Sequence, residues 1–238
     1  MKNYLIVANG NFLIKEIIAE AAANKIMVAL DGAYDKLIAL GFEPAIVLGD
    51  FDSISFDNEW PPQTEVIHTP NQLFTDLTKG INYCDQQGAE NISIICGQGG
   101  RLDHQEGVLR TLRAAYRKER PLVLHTEQQS ARFAKDETIT IHGEIGDKCG
   151  VIAFPSGAFS STGLEYDVDN FSLVFGFSEN TCNALAMPTA AIKIQGEALV
   201  IMPPLLNAQR ALMQKNDVER LELQLRDAKC IYSYKQSR

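Results

Sequence analysis

The decapeptide Ala45-Ile-Val-Leu-Gly-Asp-Phe-Asp-Ser-Ile54 limits what this chain can fold into more than any other segment, because a continuous apolar tetrad empties into two carboxylates one residue apart. Ala45 to Leu48 read as a strand buried on both faces, the pattern of a parallel sheet covered by helices. Gly49 then permits a sharp turn. Asp50 and Asp52 therefore emerge at the carboxyl edge of the sheet, where open α/β sheets bind their ligands. If the backbone stays extended through Phe51, side chains two apart share one face, so both carboxylates can address one hard cation such as magnesium while Phe51 turns into packing. The alternative is a solvated Asp-x-Asp-Ser turn, since Asp and Ser are ordinary turn residues.

The hydrophobic period changes once along the chain. Short apolar runs at 4–8, 26–30, 45–48, 92–96 and 121–125 are interleaved with helix-compatible stretches at 12–23, 73–87 and 103–118, which is a βα alternation. From Ser130 the pattern becomes short strands at Ile139–Ile141, Gly150–Phe154, Ser172–Phe175, Ala191–Ile194 and Leu199–Met202, broken by glycines. The expectation is a parallel-sheet α/β domain over 1–128 and an all-β sandwich over 129–204. A helical tail over 205–238 follows, with Val218, Leu221, Leu225 and Ala228 on one stripe that can dock on the chain's own core or on a second subunit.

Composition excludes several classes of partner. With 238 residues and 45% apolar content the chain can bury a full core, and its formal charge of -8 argues against a broad nucleic-acid surface or an anionic membrane. Any phosphate must be met locally. Cys84, Cys96, Cys149, Cys182 and Cys230 are scattered and odd in number, which suits reduced thiols in a cytoplasmic setting better than a disulfide frame or zinc site. The start, Met1-Lys-Asn-Tyr-Leu-Ile-Val-Ala8, reads as a short strand and not as a signal-peptide core. No apolar run approaches membrane-spanning length.

Two further constellations carry chemistry. Thr75-Asp76 and Lys79 open a predicted helix that Thr75 or Asn71 can cap, and an acid and a lysine three residues apart share a face. A plain helix start with a solvated ion pair explains the same residues. The segment Gly97-Gln-Gly-Gly-Arg-Leu-Asp-His104 follows an apolar run and precedes a helix, placing exposed amides and the Arg101 fork where an anion approaches. A tight turn closed by an Arg101–Asp103 salt bridge is the competing reading. His104 can cap or pack, and nothing nearby in the sequence makes it a convincing general base. No standard nucleotide-binding glycine motif is present.

Together these pieces resemble the thiamine pyrophosphokinase family. The resemblance rests on Asp31-Gly-Ala33, Gly49-Asp-Phe-Asp-Ser-Ile54, Gln72 with Thr75-Asp76-x-x-Lys79, and Gly97-x-Gly-Gly-Arg-x-Asp-His104, with a weaker echo in Gly163-Leu-Glu-Tyr166 and Thr181-Cys-Asn183. It implies an α/β catalytic domain followed by a thiamine-binding β-sandwich, and a homodimer with composite active sites. The implied reaction is magnesium-dependent transfer of pyrophosphate from ATP to the hydroxyethyl oxygen of thiamine, with AMP as the other product. By that resemblance Asp50, Asp52 and Asp76 hold magnesium, and Arg101 with the Gly99 and Gly100 amides meets the phosphates. Lys79 lends charge, Gln72, Thr75, Cys182 and Asn183 meet thiamine, and Asp31 and Asp103 complete the acidic motifs as orienting or water-holding groups.

Some positions depart from the family pattern. Asn71 stands where Asp is usual, Asp35 where Asn is common, Val108 where an Asn follows the Asp-His pair, Cys182 for Ser, and Ala184 for Glu. A thiol donates more weakly than a hydroxyl, so acceptor recognition is the property most exposed to these changes. Two other functions fit parts of the sequence. One is a magnesium-dependent phosphohydrolase whose first Asp attacks phosphate, although here the Asp-x-Asp comes after two βα units and is followed by Ser53. The other is a thiamine- or nucleotide-binding module without turnover.

Overall fold

The structure is a computed structural model that describes residues 1–54 and 60–219. Its first part follows the βα alternation of the sequence, with one strand more than the apolar pattern marks. β1 (Asn3–Val7), α1 (Lys15–Ala22), β2 (Ile26–Leu30), α2 (Ala33–Ala39), β3 (Ile46–Gly49), β4 (Glu65–His68), α3 (Asp76–Gln86), β5 (Asn91–Ile95), α4 (Leu102–Ala114) and β6 (Leu122–His125) follow in order. All six strands run parallel, in the order β6-β5-β1-β2-β3-β4. Side-chain alternation sends Tyr4, Ile6, Val28 and Leu30 to one face, where they meet Leu77 and Ile81 of α3 and Leu112 of α4. Leu5, Val7, Met27 and Ala29 go to the other, against Ile17 and Ile18 of α1 and Tyr34 and Leu37 of α2. Removing water from both faces of these strands is what makes the runs continuously apolar.

Six more strands follow: β7 (Ser130–Lys135), β8 (Thr138–His142), β9 (Lys148–Thr162), β10 (Phe171–Val174), β11 (Asn180–Ala184) and β12 (Thr189–Met202). The pieces expected at 191–194 and 199–202 are one strand of 14 residues, and 150–154 lies within a strand of 15. The reason lies at Gly196, which has φ +80 and sits where the β9–β12 register slips between Gly196 and Ala198. The bulge bends both strands without ending them. Beyond it β12 pairs with β7, and before it with β8. The two halves thus wrap one core containing Val151, Ala153, Phe159, Ile192, Ile194 and Val200, the corner-turning route to a two-layer β unit.

The two parts share one hydrogen-bonded ladder, because β7 pairs antiparallel with β6 on one side and with β12 on the other. The expected boundary at 128/129 falls in the β6–β7 turn. After β12 the chain enters a helix over 207–219 whose start packs Leu206, Ala208 and Leu212 against the α1–α2 core. Val218 is exposed, while Leu221, Leu225 and Ala228 of the expected stripe, and Cys230, lie outside the described residues. Cys84, Cys96 and Cys149 are buried and Cys182 is exposed, all as free thiols. Among the described residues no helix is long and apolar enough to cross a membrane.

His125, at the end of β6, is buried with its Nδ1 2.9 Å from Ser130 Oγ. Burial, with a smaller contribution from Lys25, pushes its imidazole down from 6.5 to about 4. Between those values the unfolded chain binds a proton that the folded chain refuses. Stability is therefore complete above pH 6.5 and falls as the pH drops toward 4, by on the order of 3 kcal/mol from this group. We expect His125→Asn to flatten the acid limb of the melting temperature between about pH 6.5 and pH 4.5 relative to the unsubstituted protein. Parallel limbs in a calorimetric pH series would contradict this.

Candidate active site

Three carboxylates converge at the carboxyl edge of the parallel strands. Asp31 follows β2, Asp50 follows β3 and Asp76 begins α3, and each offers an oxygen within 4.8 Å of the others'. Gly49 makes this possible, since a Cβ there would lie 3.0 Å from Asp31 Cβ and 3.1 Å from its Cα. Asp31 itself sits at φ +47 and is 6% exposed, and its Oδ1 is buried with no hydrogen-bond partner among the described residues. Asp50 accepts from Gln72 Nε2 at 2.6 Å, and this bond, aided by the Asp52 backbone and Lys79, holds its carboxyl below the usual range. Lys79 donates to Asp76 Oδ1 at 3.0 Å and to the Thr69 carbonyl at 2.9 Å, which fixes the ammonium beside the cluster.

The extended path expected through Asp50-Phe51-Asp52 is not adopted. Phe51 takes φ +66 so that its ring can pack against Trp60 and His68, with centroids 5.7 and 5.5 Å away. Phe51 does turn inward, but the turn carries Asp52 to an exposed position where it accepts from Ser53 Oγ, outside the trio. Asp31 stands in the trio instead. Sequence reasoning had Asp31 only as an acidic-motif residue, because its approach to Asp50 depends on the β2–β3 pairing and not on any local spacing.

Thr75 caps α3, its hydroxyl accepting from Thr78 N at 3.2 Å, and Asn71 Oδ1 accepts from Leu73 N to form the preceding turn. Gln72 and Thr75, expected at thiamine, are thus engaged with Asp50 and the helix end. In the loop after β5, Gly99 and Gly100 have φ +87 and +73, and a Cβ at Gly99 would overlap the Asn11 side chain. Arg101 closes on Asp103 through two bonds, Nε to Oδ1 at 3.1 Å and Nη2 to Oδ2 at 2.6 Å, raising the guanidinium's affinity for its proton and lowering that of the carboxyl. The pair is exposed, and it occupies one edge of a fork that has a second. His104 donates its backbone N–H to Asp103. Val108 packs against the core on α4.

The remaining expected residues lie elsewhere. Cys182 is exposed on β11. Asn183 is 1% exposed, its amide donating to the Tyr166 carbonyl and to Asn180 while its oxygen accepts from the Tyr166 and Ala184 backbones. It ties the Gly163–Tyr166 loop to β11. Ala184 is buried where an acid would have to be desolvated. Residues the sequence reading did not single out also border the site: Asn9 and Asn11 after β1, and Gln98. Their signal was available in Asn9-Gly-Asn11, a polar turn at the end of an apolar strand.

The carboxyl edge of the parallel sheet thus gathers an acid trio, a partly buried lysine and a glycine-arginine loop in an α/β site. The comparisons then fix the family. The family model for the thiamin pyrophosphokinase catalytic domain matches residues 19–124, and that for the thiamin pyrophosphokinase vitamin B1 binding domain matches 136–201. Thiamin pyrophosphokinase 1 of Caenorhabditis elegans is 29% identical over 183 residues, covering 71% of this chain and 75% of its own. Thiamine pyrophosphokinase 1 of Arabidopsis thaliana is 28% identical over 200 residues, covering 76% and 74%. The crystal structure of thiamine pyrophosphokinase from Bacillus subtilis superposes with a TM-score of 0.76 at 22% identity over 86% of this chain and 100% of that one. This chain belongs to the thiamin pyrophosphokinase family.

Adjacent residues on β11 give a contrast that can be measured. Asn183→Ala leaves several buried polar groups without partners and should cost about 2–4 kcal/mol in denaturant unfolding, whereas the exposed Cys182→Ser should change stability by less than about 0.5 kcal/mol. Similar losses in the two variants would contradict the contacts assigned to Asn183.

Proposed function

We propose that this protein transfers pyrophosphate from ATP to the hydroxyethyl oxygen of thiamine, giving thiamine diphosphate and AMP. The observation that carries this reading is the Asp31–Asp50–Asp76 trio at the sheet edge beside the Gly99-Gly100-Arg101 loop, in a chain whose two parts match the two family domains in order. In the reaction the alcohol oxygen bonds to the β-phosphorus as the bond from that phosphorus to the α,β-bridging oxygen breaks, AMP leaves, and the hydroxyl proton is released. Such a transfer depends on positioning and charge neutralisation.

The residues fit a magnesium ion: three carboxylates on rigid elements form a hard oxygen donor set, one buried oxygen of which has no hydrogen-bond partner among the described residues. Asp31, Asp50 and Asp76 would hold the ion, which would supply charge neutralisation to the polyphosphate. Lys79 keeps Asp76 in place, and Gln72 orients Asp50. Asp52 stands two residues beyond Asp50 and joins only if the Phe51 turn rearranges. Arg101 offers its remaining edge to phosphate oxygens, with the Gly99 and Gly100 amides beside it, while Asp103 fixes its plane. Asp50→Asn should lower kcat by about 100-fold or more without loss of folding, and Asp52→Asn by less. Equal turnover in Asp50→Asn and the parent enzyme would remove the metal role. Arg101→Lys should raise the KM for ATP by about tenfold with the thiamine KM and melting temperature unchanged; equal changes in both KM values would favour a purely local salt bridge.

We also propose a homodimer with composite sites, the division near 128/129 separating an ATP- and magnesium-binding unit from a thiamine-binding one, and a cytoplasmic setting for its free thiols. From β11 to β3 the ladder takes eight steps, β11-β9-β12-β7-β6-β5-β1-β2-β3, or about 38 Å along the curved sheet. Cys182 and the thiamine-binding part are thus distant from the acid trio along the sheet of their own chain. Both ends carry exposed apolar side chains, Phe175 and Phe177 beside β11 and Leu73 and Phe74 beside the trio, which an antiparallel pair of chains would cover reciprocally. The deciding experiment is an acceptor screen with ATP and magnesium, following AMP release and product mass. Thiamine diphosphate should form; phosphate release without an acceptor would instead indicate a hydrolase, and tight binding without turnover a binding module.

A further inference from the structure

The strand order reverses at β1. β2 and β3 continue on one side and β5 and β6 on the other, and the helices that follow β1 and β5 pack on opposite faces, α1 against one core and α4 against the other. Loops leaving such a switch point diverge and leave a crevice at the carboxyl edge. Here it is a cleft of about 240 Å³ between the loop after β1, the glycine loop after β5 and the β6–β7 turn.

The chemistry of the cleft selects what can enter. It abuts Gly99, yet among the described residues its lining contains no lysine or arginine and includes Glu127, so it offers phosphate no cation. Its buried titratable groups are uncharged at neutral pH, since burial lowers the His125 imidazole and raises the Cys96 thiol to about 11. Leu13 supplies an apolar wall, and Gln98 Nε2 is buried without a hydrogen-bond partner among the described residues. A polar, uncharged body attached to something held at Gly99–Arg101 matches this lining.

One wall is held from outside both family-model matches. Gln209, fully buried in the helix over 207–219, donates through Nε2 to the Thr126 carbonyl at 2.6 Å and the Gln129 carbonyl at 3.3 Å, the two ends of the β6–β7 turn. Its Oε1 accepts from Leu205 N and Leu206 N. Glu20 of α1 anchors the same segment by accepting from Asn207 N, Asn207 Nδ2 and Ala208 N at 2.8 to 3.0 Å. The turn bearing Glu127 and Gln128 is thereby set by a side chain 80 residues further along the chain.

We propose that this cleft receives the nucleoside end of ATP and that Gln209 is a positioning residue for it, acting through the β6–β7 turn. The inference rests on the pyrophosphate-transfer reading for the identity of the nucleotide. It is tested with Gln209→Glu, which keeps an acceptor for Leu205 and Leu206 but sets an oxygen against two carbonyls, and with Gln98→Met, which removes the unpartnered donor. Should Gln209→Glu not fold, the apolar Gln209→Met serves in its place. In magnesium buffer, calorimetry should show the Kd for ATP raised by roughly 5- to 30-fold in each variant, with the Kd for inorganic tripolyphosphate and the thiamine KM unchanged. A merely structural role would weaken both polyphosphates together, which would overturn the proposal, as would unchanged ATP binding or a change confined to thiamine. Formation of thiamine diphosphate by the parent enzyme is scored separately and reports on the acceptor, so the two readings fail by different measurements.

Discussion

The crowding of three carboxylates around the β2–β3 pairing is the constraint on which the rest of the site depends. Parallel register brings the ends of β2 and β3 together, Gly49 lets Asp31 approach, and the start of α3 adds Asp76. With Lys79 in contact, three negative charges and one positive leave a formal -2 at one edge of the sheet. Like charges this close repel one another, which favours a cation between them. Gln72 and Lys79 relieve Asp50 and Asp76, but Asp31 keeps a buried oxygen without a partner. Such an arrangement is costly as pure structure and economical as a site for a cation and its polyanion.

The two ends of the molecule then follow from geometry. The parallel sheet supplies rigid positions for charge at its carboxyl edge, while the bent β9 and β12 build a second unit that shares the ladder and faces elsewhere. Between them the β6–β7 turn is a joint held by hydrogen bonds from three directions: within the turn through Thr126, to Lys148 through Gln129, and to the C-terminal helix through Gln209. The buried Gln209 amide thereby couples the C-terminal helix to both ends of the turn that walls the cleft. That is why a residue beyond the matched family domains can bear on the site.

Much of this was legible in the residues. The βα alternation, the Asp50 turn, the Thr75 cap and the Asp76–Lys79 contact each express local periodicity, and all appear where the spacing puts them. What was not legible depended on distant partners. Phe51 leaves the extended path for the sake of Trp60 and His68, moving Asp52 out of the trio, and the entry of Asp31 requires strand pairing. β4 escaped notice because Glu65, Val66 and His68 are exposed on an edge, with no apolar alternation to mark them. Gln195-Gly-Glu197 reads as a turn and is a bulge inside one strand. Gln209 carries no signal at all in a helical tail, since its role is read only from the carbonyls it meets.

The most direct test of the central claim is a manganese titration followed by electron paramagnetic resonance, which counts divalent ions bound per chain without requiring turnover. One tight ion per chain is expected in the parent protein, and its loss in both Asp31→Asn and Asp50→Asn. Undiminished binding in Asp31→Asn would contradict the account, because the buried orphan oxygen would then not belong to the metal site.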